Sequence, residues 1–163
     1  MRRLLAAALL LSACSRGPEV PVNTLLWRVE GWSQTAAAKR RARAKMVIFR
    51  ANGEYVEYLC YVIEQPDTSI FISAFDPHVV TSGNWTGKPP EIFATRHVIA
   101  RPVPYAGATD PLCSDVKFTI SGNSVIGSDG QYSPLTRLVA PDFESNIKDA
   151  LQNGKPCPQP RPS

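Results

Sequence analysis

The chain has 163 residues, 44% of them hydrophobic and 20% charged, with a formal net charge of +4. That is length and apolar content enough for one domain with a core of its own. Two of the excess positive charges, Arg2 and Arg3, sit at the extreme amino end. The rest lacks the strong basic surface that a nucleic-acid-binding domain needs.

Arg2 and Arg3 precede the apolar run Leu4–Leu11, and the small residues Ser12 and Ala13 follow it. The run falls far short of the ~20 residues of a membrane-spanning helix, so it reads as a signal and not a span. Leu11-Ser12-Ala13-Cys14 resembles the lipobox of bacterial lipoproteins. The resemblance implies that the Cys14 thiol receives a diacylglycerol, that the chain is cut just before it, and that the new amino group is acylated. Residues 1–13 would then be discarded. Removing these thirteen leaves 150, and the loss of Arg2 and Arg3 takes the charge from +4 to +2. Each acyl chain contributes about 0.8 kcal/mol per buried methylene, so two or more chains anchor stably. Ser15 stands where many enterobacterial lipoproteins carry the aspartate that retains them in the inner membrane. By that resemblance the address is the outer membrane, with the domain facing the periplasm. Residues 14–23 read as a lipidated polar tether containing Pro18 and Pro21.

Residues 24–154 read as a single β-rich domain. TLLWRVEGW (24–32) is a first strand, with Leu26, Arg28 and Glu30 on one face and Leu25, Trp27 and Val29 on the other. For Ser33 to Lys45 the expectation is a short basic helix, because alanine, lysine and arginine are strong helix formers and Ser33 can cap its start. Basic residues alternate with apolar ones from Arg41 to Met46, which keeps a strand reading open. MVIFR and YVEYLCYVIE flank Asn52-Gly53, the pair that favours a type I′ hairpin turn. Val56, Tyr58, Cys60 and Val62 share one face of the second strand. Further strands are expected at 68–75, 78–86, 91–100, 116–122, 123–127 and 133–139, punctuated by proline, glycine and aspartate. PDFESNIKDALQNG (141–154) reads as an amphipathic helix with Phe143, Ile147, Ala150 and Leu151 as its apolar stripe. Residues 155–163 read as a proline-rich tail without core potential. The fold expected is mainly β: an antiparallel barrel or sandwich of about seven or eight strands, with a short N-terminal basic helix and a C-terminal helix.

Glycine followed two residues later by an aromatic recurs at Gly53/Tyr55, Gly83/Trp85 and Gly130/Tyr132. Glycine permits a turn or bulge, and an aromatic that begins a strand packs the end of the sheet. Gly83-Asn84-Trp85 weakly resembles the G-x-W of lipocalins, although it lies mid-chain instead of on a first strand. That resemblance implies a calycin-like barrel carrying a small apolar ligand.

With Cys14 lipidated, three cysteines remain in an oxidising compartment, enough for one disulfide. Cys60–Cys113 is the favoured pair, with Cys113–Cys157 next. No C-x-x-C spacing suggests a redox or zinc motif. The histidines, His78 and His97, form no metal spacing with Asp76. Ser73, Ser82 and Ser114 lie in no nucleophile elbow, Glu54, Glu57 and Glu64 lack visible acid–base partners, and no phosphate loop is present. No catalytic residue, metal or cofactor is expected. Lys39, Arg40, Arg41, Arg43 and Lys45 read either as a solvated face or as a contact for anionic head groups, where each basic residue is worth ~1 kcal/mol. Two functions follow: a non-catalytic module, tethered through Cys14, that docks an envelope protein, or a carrier of a small apolar ligand.

Overall fold

The computed structural model describes residues 19–35, 39–100, 111–139 and 143–158, with only the backbone described at 73–78 and at 111. The signal segment and Cys14 lie outside these residues. Among the described residues nine strands run in chain order: β1 (Leu26–Gln34), β2 (Arg40–Phe49), β3 (Glu54–Glu64), β4 (Ile70–Lys88), β5 (Glu91–Ala100), β6 (Val116–Ser121), β7 (Ser124–Gly127), β8 (Gly130–Pro134) and β9 (Lys155–Pro156). One helix, α1 (Phe143–Gln152), precedes β9.

Each strand from β1 to β7 pairs antiparallel with the next, and β8 returns to β1 through Leu26↔Pro134 and Trp27↔Ser133. The result is a closed, antiparallel eight-stranded barrel, an architecture that removes the open edges of a sheet. β9 lies along β5 at Val98 and Ile99, beyond the reach of β6.

Several elements differ from the sequence expectation. The stretch expected as a basic helix is sheet: residues 33 and 34 end β1, and β2 runs from Arg40 through Phe49, while 36–38 lie outside the described residues. The alternation of basic and apolar residues outweighs helix propensity, because each apolar residue of β2 is buried by a neighbouring element. The hairpin turn is a three-residue loop, Ala51–Gly53, with positive φ at Gly53 and not at Asn52. The Gly53 amide donates to the Arg50 carbonyl at 3.0 Å, and the Glu54 amide donates to Asn52 Oδ1 at 3.0 Å. The expected strands 68–75 and 78–86 are one strand, β4. Proline lacks an amide hydrogen, and the register against β3 slips around Pro77 instead of the strand ending there. The last barrel strand is 130–134, displaced from the expected 133–139.

Alternation sorts the side chains into two faces. Outward from β2 and β3 point Ala42, Ala44, Met46 and Ile48, and Val56, Tyr58, Cys60 and Val62. Helix α1 covers this face with Phe143 and Ile147, and the Phe143 ring meets Tyr58 edge-on at 5.7 Å. Burying a phenylalanine this way stabilises by about 1.5–3 kcal/mol. Inward point Leu26, Val47, Phe49, Tyr55, Ile92, Ala94, Phe118, Ile120, Val125 and Tyr132, the barrel's own core.

The disulfide joins Cys113 to Cys157, 44 residues apart, and Cys60 is a free, buried thiol. This corrects the Cys60–Cys113 pairing. Cys60 faces outward beneath the helix layer, whereas Cys113 and Cys157 gather with Leu59, Val79, Leu112 and Ile99 on the inner side. The tail assigned no core potential therefore places Cys157 in a core, at 3% exposure.

Candidate functional site

Three of the inner aromatics are those of the glycine-x-aromatic repeats. Tyr55 and Tyr132 are fully buried, and Trp85 packs against them at the end of the barrel where the chain enters. Phe49 meets Tyr55 at 5.6 Å, Trp85 at 5.9 Å and Phe118 at 5.4 Å, and Phe118 meets Tyr132 at 5.9 Å. Trp85 Nε1 donates to the Arg50 carbonyl at 2.8 Å. At Gly83 a Cβ would overlap the Thr95 carbonyl of β5, so β4 and β5 close only around a glycine. These glycines are structural, as turn-plus-aromatic packing predicts.

Above the rings the inner face becomes ionic. Arg96 Nη2 donates to Glu57 Oε2 at 2.5 Å, and the Tyr55 hydroxyl donates to the same oxygen at 2.6 Å. Lys45 Nζ lies 3.1 Å from Glu57 Oε1 and 3.4 Å from Asp129 Oδ2. The Tyr132 hydroxyl donates to Asp129 at 2.8 Å, and Arg28 approaches that carboxylate at 3.9 Å. Arg96 Nη1 donates to the Ser114 carbonyl at 3.1 Å, while its Nε and Thr81 Oγ1 are buried without a hydrogen-bond partner among the described residues.

These contacts fix protonation. Burial, reinforced by Glu57, holds the Tyr55 hydroxyl well above its usual range. Tyr132 is likewise raised, by burial and by its bond to Asp129. Burial opposes the Asp129 carboxylate, but Tyr132, Lys45 and Arg28 outweigh it and lower its pKa. Burial also opposes the Arg96 charge, and Glu57 and Tyr55 more than restore it. A cleft of about 230 Å³ opens beside this network, lined by Lys45, Arg96, Ser114, Asp115 and Asp129. Of its lining, Lys45 is held by Glu57 and Asp129, and Arg96 by Glu57.

The expected basic cluster divides along β2. Arg41, Arg43 and Lys45 share the inward face that continues to Val47 and Phe49. Lys45 is drawn into the ionic layer. Arg43 lies 4.0 Å from Glu30, and the Arg41 guanidinium stacks on Tyr61 at 4.0 Å. Arg40 points to the other face, bound to Glu64 at 2.7 Å and 4.6 Å above the Trp32 ring. Lys39 is half-buried at the start of the strand. A second cleft, of about 480 Å³, lies here between Glu30–Ser33, Arg41, Arg43 and Tyr61. It stands at the opposite end of β2 from Phe49, which Val22 bridges.

Of the carboxylates considered for acid–base work, Glu57 is consumed by Arg96, Lys45 and Tyr55, and Glu64 by Arg40 and Arg137. His97 contacts the Asn84 amide at 3.3 Å on the outer wall. No group of three metal-ligating side chains occurs among the described residues. The ionic layer was missed in sequence because its members come from β1, β2, β3, β5 and the β7–β8 turn. The one signal for it was that Arg28, Lys45, Glu57 and Arg96 each lie two residues from an inward apolar residue, Leu26, Val47, Tyr55 and Ala94. Family models, curated proteins and solved structures provide no match to this chain.

Proposed function

We propose that the protein is a lipid-anchored component of the bacterial cell envelope, held through Cys14 at the outer membrane and facing the periplasm, that acts by binding a protein partner and not by catalysis. The observation that carries this reading is the occupancy of the barrel. Interlocked aromatic rings fill one end, and a paired ionic layer fills the middle. Carriers of small apolar molecules need a concave, largely apolar cavity. Here the described inward positions at that end and in the middle are spent on packing, which favours the outer surface and rim for recognition. The lipobox supports the address, and confinement to a surface raises the effective concentration of the domain for a neighbour there.

The test is made in membranes. The parent protein partitions into the detergent phase and crosslinks to a specific protein neighbour. The Cys14→Ser variant leaves the detergent phase and loses the crosslink. A turnover activity abolished by changing His97, or correct processing and detergent partition of Cys14→Ser, contradicts the proposal. The competing reading, a calycin-like carrier, requires an apolar molecule that co-purifies in stoichiometric amount.

A further inference from the structure

The chain is fixed to one end of the barrel before β1 begins. The Asn23 amide donates to the Phe49 carbonyl at 2.7 Å, the Ala51 amide donates to Asn23 Oδ1 at 3.2 Å, and Val22 bridges Phe49. Val20 packs against the aromatic cluster inside that end. In an antiparallel meander alternate turns share an end. The same end therefore carries the turns Ala51–Gly53 between β2 and β3, Pro89-Pro90 between β4 and β5, and Gly122-Asn123 between β6 and β7. Backbone bonds link them to their neighbours: the Trp85 amide donates to the Gly53 carbonyl at 2.8 Å, and the Ile120 amide to the Pro90 carbonyl at 2.7 Å.

Cys14 lies six residues before Val20. Fully extended, that many residues span about 20 Å. From Phe49 to Arg40, β2 rises by about 30 Å at ~3.3 Å per residue, and a strand tilt of about 40° leaves about 23 Å of that along the barrel axis. A lipid on Cys14 cannot bring the far end to a bilayer, because the tether would have to double back along the wall and cover more than its full length. The surface chemistry agrees. None of the three turns carries an acidic residue. Asn52, Lys88, Pro90 and Asn123 are exposed, as is Val22 beside them. The acids next to these turns, Glu54 and Glu91, begin strands, and Lys117 holds Glu91 at 2.5 Å. The far end exposes Asp67 in the β3–β4 turn and Asp115 before β6.

We infer that the turns Ala51–Gly53, Pro89-Pro90 and Gly122-Asn123 form a membrane-contact surface that rests on the lipid headgroup layer. Asn52 and Asn123 meet its polar groups, and the Lys88 ammonium meets its phosphates, an attraction that holds close to an anionic surface. The inference rests on the lipidation of Cys14 proposed above and assigns the membrane to one end of the barrel. The far end then faces the periplasm.

The lipidated protein is placed in nanodiscs of phosphatidylethanolamine and phosphatidylglycerol, with and without a lipid bearing a nitroxide on its headgroup, and its backbone amides are followed by NMR. The radical broadens the nuclei near it. The amide signals of Asn52, Gly53, Gly122 and Asn123 should lose most of their intensity, and those of Thr68, Ser69, Ser128 and Asp129 should keep theirs. Equal loss at both ends, loss at the far end alone, or loss confined to α1 overturns the inference and leaves the anchor standing. Mass spectrometry of the same sample reads the anchor separately: an unmodified Cys14 removes both the envelope reading and this contact. In native membranes a photocrosslinker at Asn52 should attach to lipid. Its attachment to a protein instead assigns these turns to a protein partner and overturns the inference.

Discussion

At Glu57 one carboxylate meets the Arg96 guanidinium at 2.5 Å, the Tyr55 hydroxyl at 2.6 Å and the Lys45 ammonium at 3.1 Å, with 3% of its side chain exposed. Desolvation and attraction nearly cancel in such a cluster while it is whole, but removing one member strands the others. Glu57→Gln leaves Arg96 and Lys45 without their main counter-charge inside the barrel. We expect a loss of about 3–5 kcal/mol in urea unfolding, where a surface change such as Glu91→Gln costs about 0–1 kcal/mol. Equal, small losses would mean that the layer is solvated. The tyrosines give the pH dependence. The barrel keeps Tyr55 and Tyr132 protonated where the unfolded chain ionises, because burial raises both. Their contribution is complete below about pH 10, the unfolded value, and is lost as the pH rises beyond it. Stability should fall above that pH, and part of the tyrosinate absorbance at 295 nm should appear only with unfolding. Complete tyrosinate formation in the folded state near pH 10 would contradict the burial.

Among the elements, β9 and the turn at Pro111–Cys113 depend on each other through the Cys113–Cys157 bond. Closing a loop of that length stabilises by about 4 kcal/mol in the chain-entropy treatment. Cys157→Ser should cost about 3–4 kcal/mol on that treatment and free β9 from β5, seen as rapid exchange of the backbone amides at positions 155 and 157. Cys60 should resist thiol reagents until the chain unfolds, because burial pushes its thiol up to about 12. Non-reducing peptide maps should link Cys113 to Cys157. A Cys60–Cys113 link would refute the pairing. The pairing was beyond the sequence because disulfides join residues by face and layer, and the sequence does not reveal which strand's inner side β9 will reach. The hairpin strands, β5, β6, β7 and α1 were legible, since β-branched and aromatic runs or a 3.6-residue apolar stripe lie between turn residues. The helix was expected at β2 because its arginines and alanines are good helix formers; the alternation from Arg41 to Met46 pointed to a strand, and burial of Ala42 and Ala44 by distant segments decides for it. The division of the five basic residues, with Lys45 in the ionic layer, Lys39 half-buried at the start of the strand, Arg40 outward and Arg41 and Arg43 beside a cleft, depends on strand parity.

For the whole molecule, closure of the barrel decides what the interior can do. Eight strands give an interior just wide enough for side chains to fill or for one small ligand, and the choice lies with the inward residues. Phe49, Tyr55, Phe118 and Tyr132 touch in a continuous set of edge-on and tilted rings, and Lys45, Glu57 and Arg96 lie over them. The account rests on this filling: where rings and paired charges take the described inward positions, recognition falls to the surface, and under the proposed function a lipid at Cys14 would hold that surface at the membrane. Native mass spectrometry of the lipidated protein, released from its membrane in mild detergent, tests it most directly. The predicted spectrum shows the acylated chain beginning at Cys14, alone or with a protein partner, and no bound small molecule. A stoichiometric apolar passenger that survives desolvation of the detergent would contradict the account.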